Sequence, residues 1–205
     1  MTLKHQSMVY LAALVVAITL PASAQQMEEL PIGAEGPMFD YEMTNIDGTL
    51  ITLDDVKGEN GTLLIFSCNT CPFVHAWEDR YLQIEQLAAA NNIGMIYVNP
   101  NEDIRDQGES LIDNQERAMM IGYTAPYTID KDHQLADAYG ATRTPHVYLM
   151  NNENILVFRG AIDDNSRSAE EVESTYLHDA ILELAAGETI STPTSRALGC
   201  TIKRK

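Results

Sequence analysis

The chain has 205 residues, 45% of them hydrophobic, which is enough for one domain with a full core. Thirty acidic residues against 13 Lys and Arg give a formal net charge of −17, and a body this acidic repels phosphate, which argues against a nucleic-acid partner. A charged fraction of 21% excludes wholesale disorder, and three cysteines are too few for a disulfide-built miniprotein yet enough for redox chemistry.

In chain order, Lys4 and His5 precede an apolar run at residues 8–20, and Ala22-Ser23-Ala24 follows as a small-residue cleavage pattern. The run is short for a membrane span, which takes about 20 residues. Residues 1–24 therefore read as a signal peptide cleaved near Ala24. The mature chain would carry no membrane span and would be exported, periplasmic or extracellular, where disulfides persist. Residues 25–37 read as a lead-in, residues 38–187 as the folded domain, and residues 188–205 as a C-terminal tail containing Cys200.

Within the domain, residues 39–53 predict two strands turning at Asp47-Gly48. Residues 62–66 form a continuous apolar run, as in a buried central strand. The period then changes: Trp77, Tyr81, Ile84 and Ala88 make one stripe of a helix over residues 73–90, and these are core positions. A second buried strand follows at residues 93–99, a polar loop at 100–108, a helix at 110–121 ended by Gly122, a strand at 127–129 and a short helix at 133–139. Residues 145–150 and 155–158 form a hairpin. Ser168 and Glu171 have capping-box spacing and are expected to open a last helix with Val172, Tyr176, Ala180 and Leu184 as its stripe. Asp163, Asp164, Glu170, Glu171 and Glu173 read as solvated charges. This alternation of strands and helices is an α/β pattern.

Cys68-Asn69-Thr70-Cys71 lies on the turn from a buried strand into a helix. Two cysteines at this spacing close a small disulfide ring, and amides at the helix start are expected to stabilise a thiolate at Cys68, making it the attacking group. Cys71, a turn further in, would resolve the mixed disulfide, and Pro72 suits the first helical turn. Half of a zinc site or an inert structural disulfide would also produce this spacing. Thr144-Pro145 opens a later strand; a cis bond there would offer backbone groups to a substrate.

The carrying segments are Gly33-x-x-x-Pro37-x-Phe39, Asp47-Gly48-Thr49, Leu53-x-Asp55, Phe66-Ser67-Cys68-Asn69-Thr70-Cys71-Pro72, Thr144-Pro145-His146-Val147-Tyr148-Leu149 and Gly160-Ala161-Ile162-Asp163-Asp164. With these the chain resembles the thioredoxin-like superfamily in its redoxin branch, which includes TlpA-like exported oxidoreductases and AhpC/TSA peroxiredoxins. More closely it resembles thioredoxin-family proteins with a C-N-x-C-P motif and a G-C-x-I-K tail, here Gly199 to Lys203. The resemblance implies a central mixed β-sheet flanked by helices, with an N-terminal hairpin. It implies Cys68 as nucleophile, Cys71 as resolving thiol, a cis Pro145, and Thr144, Pro145 and His146 at the substrate. No cofactor and no metal is implied. Three positions depart from the pattern. Ser67 replaces the Trp common before the first cysteine. Thr62 stands where thioredoxins carry a buried acid. Ile65 stands where peroxiredoxins carry Thr, without the preceding Pro, which argues against a dedicated peroxidase.

The expected activity is exported thiol–disulfide exchange with protein or small thiol substrates and an upstream redox partner. A thiol peroxidase is the alternative. A copper carrier using Cys68, Cys71 and His75 is a third reading. Cys200 is the odd thiol, in a basic tail (Arg196, Lys203, Arg204, Lys205) that an acidic body would attract. It could be a third redox thiol exchanging with the pair, an inert thiol, or an intermolecular bridge.

Overall fold

The computed structural model describes residues 27–205; the signal-like run and Ala24 lie outside the described residues. Met43–Asn45 (β1) and Leu50–Ile51 (β2) form the expected hairpin. At its turn the Asp47 carboxylate accepts the Thr49 N–H and hydroxyl. The strand pattern was expected to run through Leu53, but Leu53–Val56 is a helical turn (α1). Thr52 and Asp55 form a capping box there, with Asp in the role usually given to Glu.

Gly61–Phe66 (β3) and Ile93–Asn99 (β4) pair in parallel, joined by the helix Pro72–Ala90 (α2). Both faces of β3 are buried. Leu63 and Ile65 enter the core under α2, whereas Leu64 and Phe66 enter the core on the opposite face. This explains the unbroken apolar run, since a strand covered on both sides needs no polar alternation. Leu111–Ile121 (α3) starts at a Ser110–Asp113 capping box and stops at Gly122, whose φ of 91° is left-handed. Tyr127–Ile129 (β5), Gln134–Ala138 (α4), Arg143–Thr144 (β6), His146–Asn151 (β7) and Leu156–Gly160 (β8) follow. The main sheet runs β2-β1-β5-β4-β3-β7-β8, with β3 parallel to β4 and antiparallel to β7. Among the described residues no helix is long and apolar enough to cross a membrane.

The last helix is Tyr176–Ala185 (α5), not a helix opened by Ser168. Ser168 opens only a single 3-10 turn, Ala169–Glu171, without a capping box: the Asn165 side chain accepts the Arg167 and Ser168 amides, and Asp164 accepts Glu173 N–H. The buried stripe is Leu177, Ala180 and Ile181. Asp163 is not a solvated charge either. It is 3% exposed and accepts from Trp77 Nε1 and Arg80 at 2.7 Å each, because the loop after β8 folds it against α2.

Both terminal segments are packed against the domain. In the lead-in, Leu30 N–H bonds Tyr139 and Gly33 N–H bonds Leu156. In the tail, Cys200–Thr201 (β9) pairs antiparallel with β6.

Candidate active site

β3 ends one residue before the cysteine turn, and Phe66 is in register with His146, the first residue of β7. This pairing sets Thr144 and a cis Thr144–Pro145 bond against the cysteines. Cys68 Sγ lies 3.0 Å from the Thr144 hydroxyl, and the Cys71 thiol donates to the Thr144 carbonyl at 3.1 Å. Both cysteines are free thiols and almost fully buried, at 2% and 3% exposure.

Cys71 is the N-cap of α2, with Pro72 at the first helical position. Its Sγ makes no capping hydrogen bond and lies instead against the Thr144 carbonyl. Sharing a proton with Cys68 is the main cause that brings Cys71 down to about 5, with Cys200 adding to it. Cys68 is pushed well above the ordinary thiol range by sharing that proton, by burial and by the charge of Glu109. The lowering of one thiol and the raising of the other mark the two as a coupled pair.

Glu109 is the residue that sequence reasoning missed. No acid sits at Thr62, which is buried in β3. Instead Glu109 enters from the loop after β4, forty positions on from Asn69, and is fully buried. Its carboxylate accepts the Asn69 and Thr70 N–H groups, the Thr70 hydroxyl and Asn99 Nδ2. Asn69 also donates to Asn114 and accepts from Tyr127. Both residues between the cysteines are thereby anchored from below. Nothing local in the Gly108-Glu109-Ser110 stretch signals this, because the contact is made only when β3 and β4 lie side by side.

The tail covers the turn. Thr144 and Cys200 are register partners, Arg143 donates to the Gly199 carbonyl at 2.9 Å, and Ile202 N–H bonds Thr142 at 3.1 Å. Ile202 is 3% exposed, and burying such a side chain stabilises the docked tail by about 1.5–3 kcal/mol. The basic end meets acidic groups, Arg204 on Asp137 at 2.8 Å and Lys205 on Glu102 at 3.3 Å. Cys200 is partly exposed and lies beside Cys71. It is raised to about 11 by burial and by its hydrogen bond to Cys71.

The sequence of the chain matches that of the AhpC/TSA family over residues 32–159. The chain belongs to the AhpC/TSA family. Its fold is thioredoxin-like. It is similar to an uncharacterized conserved protein from Geobacillus kaustophilus, at 29% identity and a TM-score of 0.78, covering 85% of this chain and 93% of that one. A hypothetical protein from Sinorhizobium meliloti is 26% identical, with a TM-score of 0.79 over 87% of this chain and 97% of that one. The thioredoxin domain of a thiol-disulfide oxidoreductase from Bacteroides vulgatus is 17% identical, with a TM-score of 0.54 over 65% and 90% of the two chains. No curated protein sequence matches the chain significantly.

Four other sequence-derived candidates lie at or near the turn. Thr144 and Pro145 are buried, and the Thr144 backbone edge that a substrate would pair with is occupied by β9. His146 is 1% exposed and turned inward, beside the Tyr148 hydroxyl at 3.3 Å. Burial and the charge of Arg143 bring it down to about 3, which leaves it neutral. His75 is exposed, and its ring nitrogen meets the Asn69 carbonyl, not the sulfurs. Among the described residues no group of three His, Cys, Asp or Glu side chains is arranged to hold a metal ion. The copper-carrier reading, which needs His75 with both cysteines, is not supported by this arrangement.

Proposed function

We propose that the chain is an exported thiol–disulfide oxidoreductase in which Cys68 and Cys71 alternate between dithiol and disulfide. The observation that carries this reading is the pair itself: two buried free thiols on one turn both contact Thr144, ahead of the cis proline. The thiolate is the nucleophile in exchange, so one cysteine of the pair makes the first attack on a substrate disulfide. One substrate sulfur leaves as a thiolate and the other is held on the attacking cysteine. The second cysteine then attacks that cysteine's Sγ, closes the ring and releases the second substrate thiol. Two electrons pass from the pair to the substrate. The same steps run in reverse for oxidation.

The test is equilibration of the pair against glutathione and dithiothreitol. A potential near about −270 mV makes the protein a reductant, and one near about −120 mV a disulfide donor. A pair that does not titrate reversibly removes the proposal. Rapid peroxide consumption with a thiol reductant would transfer it to the peroxidase reading, in which a cysteine passes through a sulfenic acid.

A further inference from the structure

The tail is built into the site. Its strand β9 lies on the edge of β6, where an incoming extended segment would form backbone hydrogen bonds next to the cysteines. The fit is close at Gly199: a Cβ there would stand 2.3 Å from the Thr144 carbonyl oxygen and 3.1 Å from Pro145 N, so no larger residue is accommodated. The three sulfurs are graded in depth. Cys68 and Cys71 are buried, Cys200 is partly exposed, and Cys200 is the register partner of Thr144, whose carbonyl lies against Cys71 Sγ.

We propose that residues 199–201 are a built-in substrate mimic and that Cys200 is a third exchanging thiol, which opens the Cys68–Cys71 disulfide at Cys71 and brings the disulfide to the surface as Cys71–Cys200. The proposal rests on the reading of Cys68 and Cys71 as a reversible pair. In the first step the Cys200 thiolate attacks Cys71 Sγ. The Cys68–Cys71 bond breaks, the Cys71–Cys200 bond forms, and Cys68 leaves as a thiolate that takes up the proton Cys200 gave up. This step is an isomerisation with no net change of oxidation state. An external thiol, ionised, then attacks the exposed Cys200 Sγ and displaces Cys71. A second external thiol attacks the thiol held on Cys200, releasing an external disulfide. Two external thiols are thereby oxidised and the three cysteines end as thiols. Cys71 suits the leaving role because Cys68 beside it holds its thiol below the ordinary range, and lower-pKa thiols leave faster. The arrangement solves an access problem, since the buried pair exchanges with solvent without the tail having to leave.

The test uses the full mature chain oxidised with diamide, followed by acid quenching and non-reducing peptide mapping. In Cys68→Ser the expected product is a monomer with a Cys71–Cys200 bond. The Cys68→Ser, Gly199→Ala double variant, with its tail displaced, is expected to lose that bond and yield dimers or free thiols. Cys200→Ser is expected to keep a reversible Cys68–Cys71 disulfide but to exchange more slowly with glutathione. If Cys68→Ser yields only intermolecular bonds, or leaves Cys71 and Cys200 open to alkylation while wild type closes its pair, the proposal is overturned. If Cys68→Ser does not fold, the bond is sought in partly oxidised wild type, and its absence there overturns the proposal as well. A wild-type pair that never closes would instead overturn the reading of the pair itself.

Discussion

Replacing Glu109 by Ala tests how the cysteine turn is held. One carboxylate oxygen accepts the Asn69 amide at 2.8 Å and Asn99 Nδ2 at 2.7 Å; the other accepts the Thr70 amide at 3.0 Å and its hydroxyl at 2.6 Å. Thr70 is exposed, so water can satisfy its two donors after the substitution. The Asn69 amide and the Asn99 side chain are buried and would lose partners at about 1–3 kcal/mol each. Removing a buried charge offsets part of this, which places the net loss at about 3 kcal/mol. For a domain of this size that is a fall in Tm of about 6–12 °C. Glu109→Gln recovers only part of it, because its NH₂ group faces one donor pair in either orientation. Both variants also remove the negative charge that opposes ionisation of Cys68, so its titration moves down. The assay is thermal unfolding of the reduced protein by circular dichroism, with thiolate absorbance followed against pH in a Cys71→Ser, Cys200→Ser background. A Tm within about 2 °C of wild type, with an unmoved Cys68 titration, would refute the assignment of Glu109 as the anchor.

Three further outcomes follow from the same geometry. With one thiol of the reduced pair ionised above about pH 5, reduction takes up one proton, so its potential should fall by about 30 mV per pH unit between pH 6 and 8; a slope of about 59 mV would mean that two protons are taken up and both thiols stay protonated. Asp130 accepts the Leu135 and Ala136 amides but is raised to about 6, mainly by burial. A carboxyl raised in the folded state favours folding while protonated and loses that contribution as pH rises from about 4 through 6. Asp130→Asn should therefore cost more stability at pH 4 than at pH 8, as read from urea midpoints, and an equal cost at both would refute the sign. Asp163→Ala leaves Arg80 buried and Trp77 Nε1 unpaired, and chemical denaturation should show a loss of about 3–5 kcal/mol; a loss under about 1 kcal/mol would mean the charge is solvated after all.

Much of the scaffold was legible because its signals are local. The unbroken apolar run in β3 requires cover on both faces, the helical period from Trp77 to Ala88 defines α2, and Asp47-Gly48 marks its hairpin. Cys68, Cys71 and Pro145 were singled out by residue type and spacing. The capping signal at Ser168 misled because Ser and Glu three apart also occur in loops, and here Asn165 had already taken the Ser168 amide. The two effective boxes use Asp at the third position.

The sequence by itself determined an α/β domain with a strand-to-helix Cys-x-x-Cys turn, since hydrophobic period and turn chemistry act over neighbouring residues. Tertiary structure decided how the two thiols are coupled, which acid serves the turn and what covers it. Each of these depends on residues far apart in the chain: Glu109 reaches Asn69 only across β3 and β4, and Cys200 reaches Cys71 only because β9 pairs with β6. Ionisation responds to distance in space and to burial, and neither is written in the order of residues.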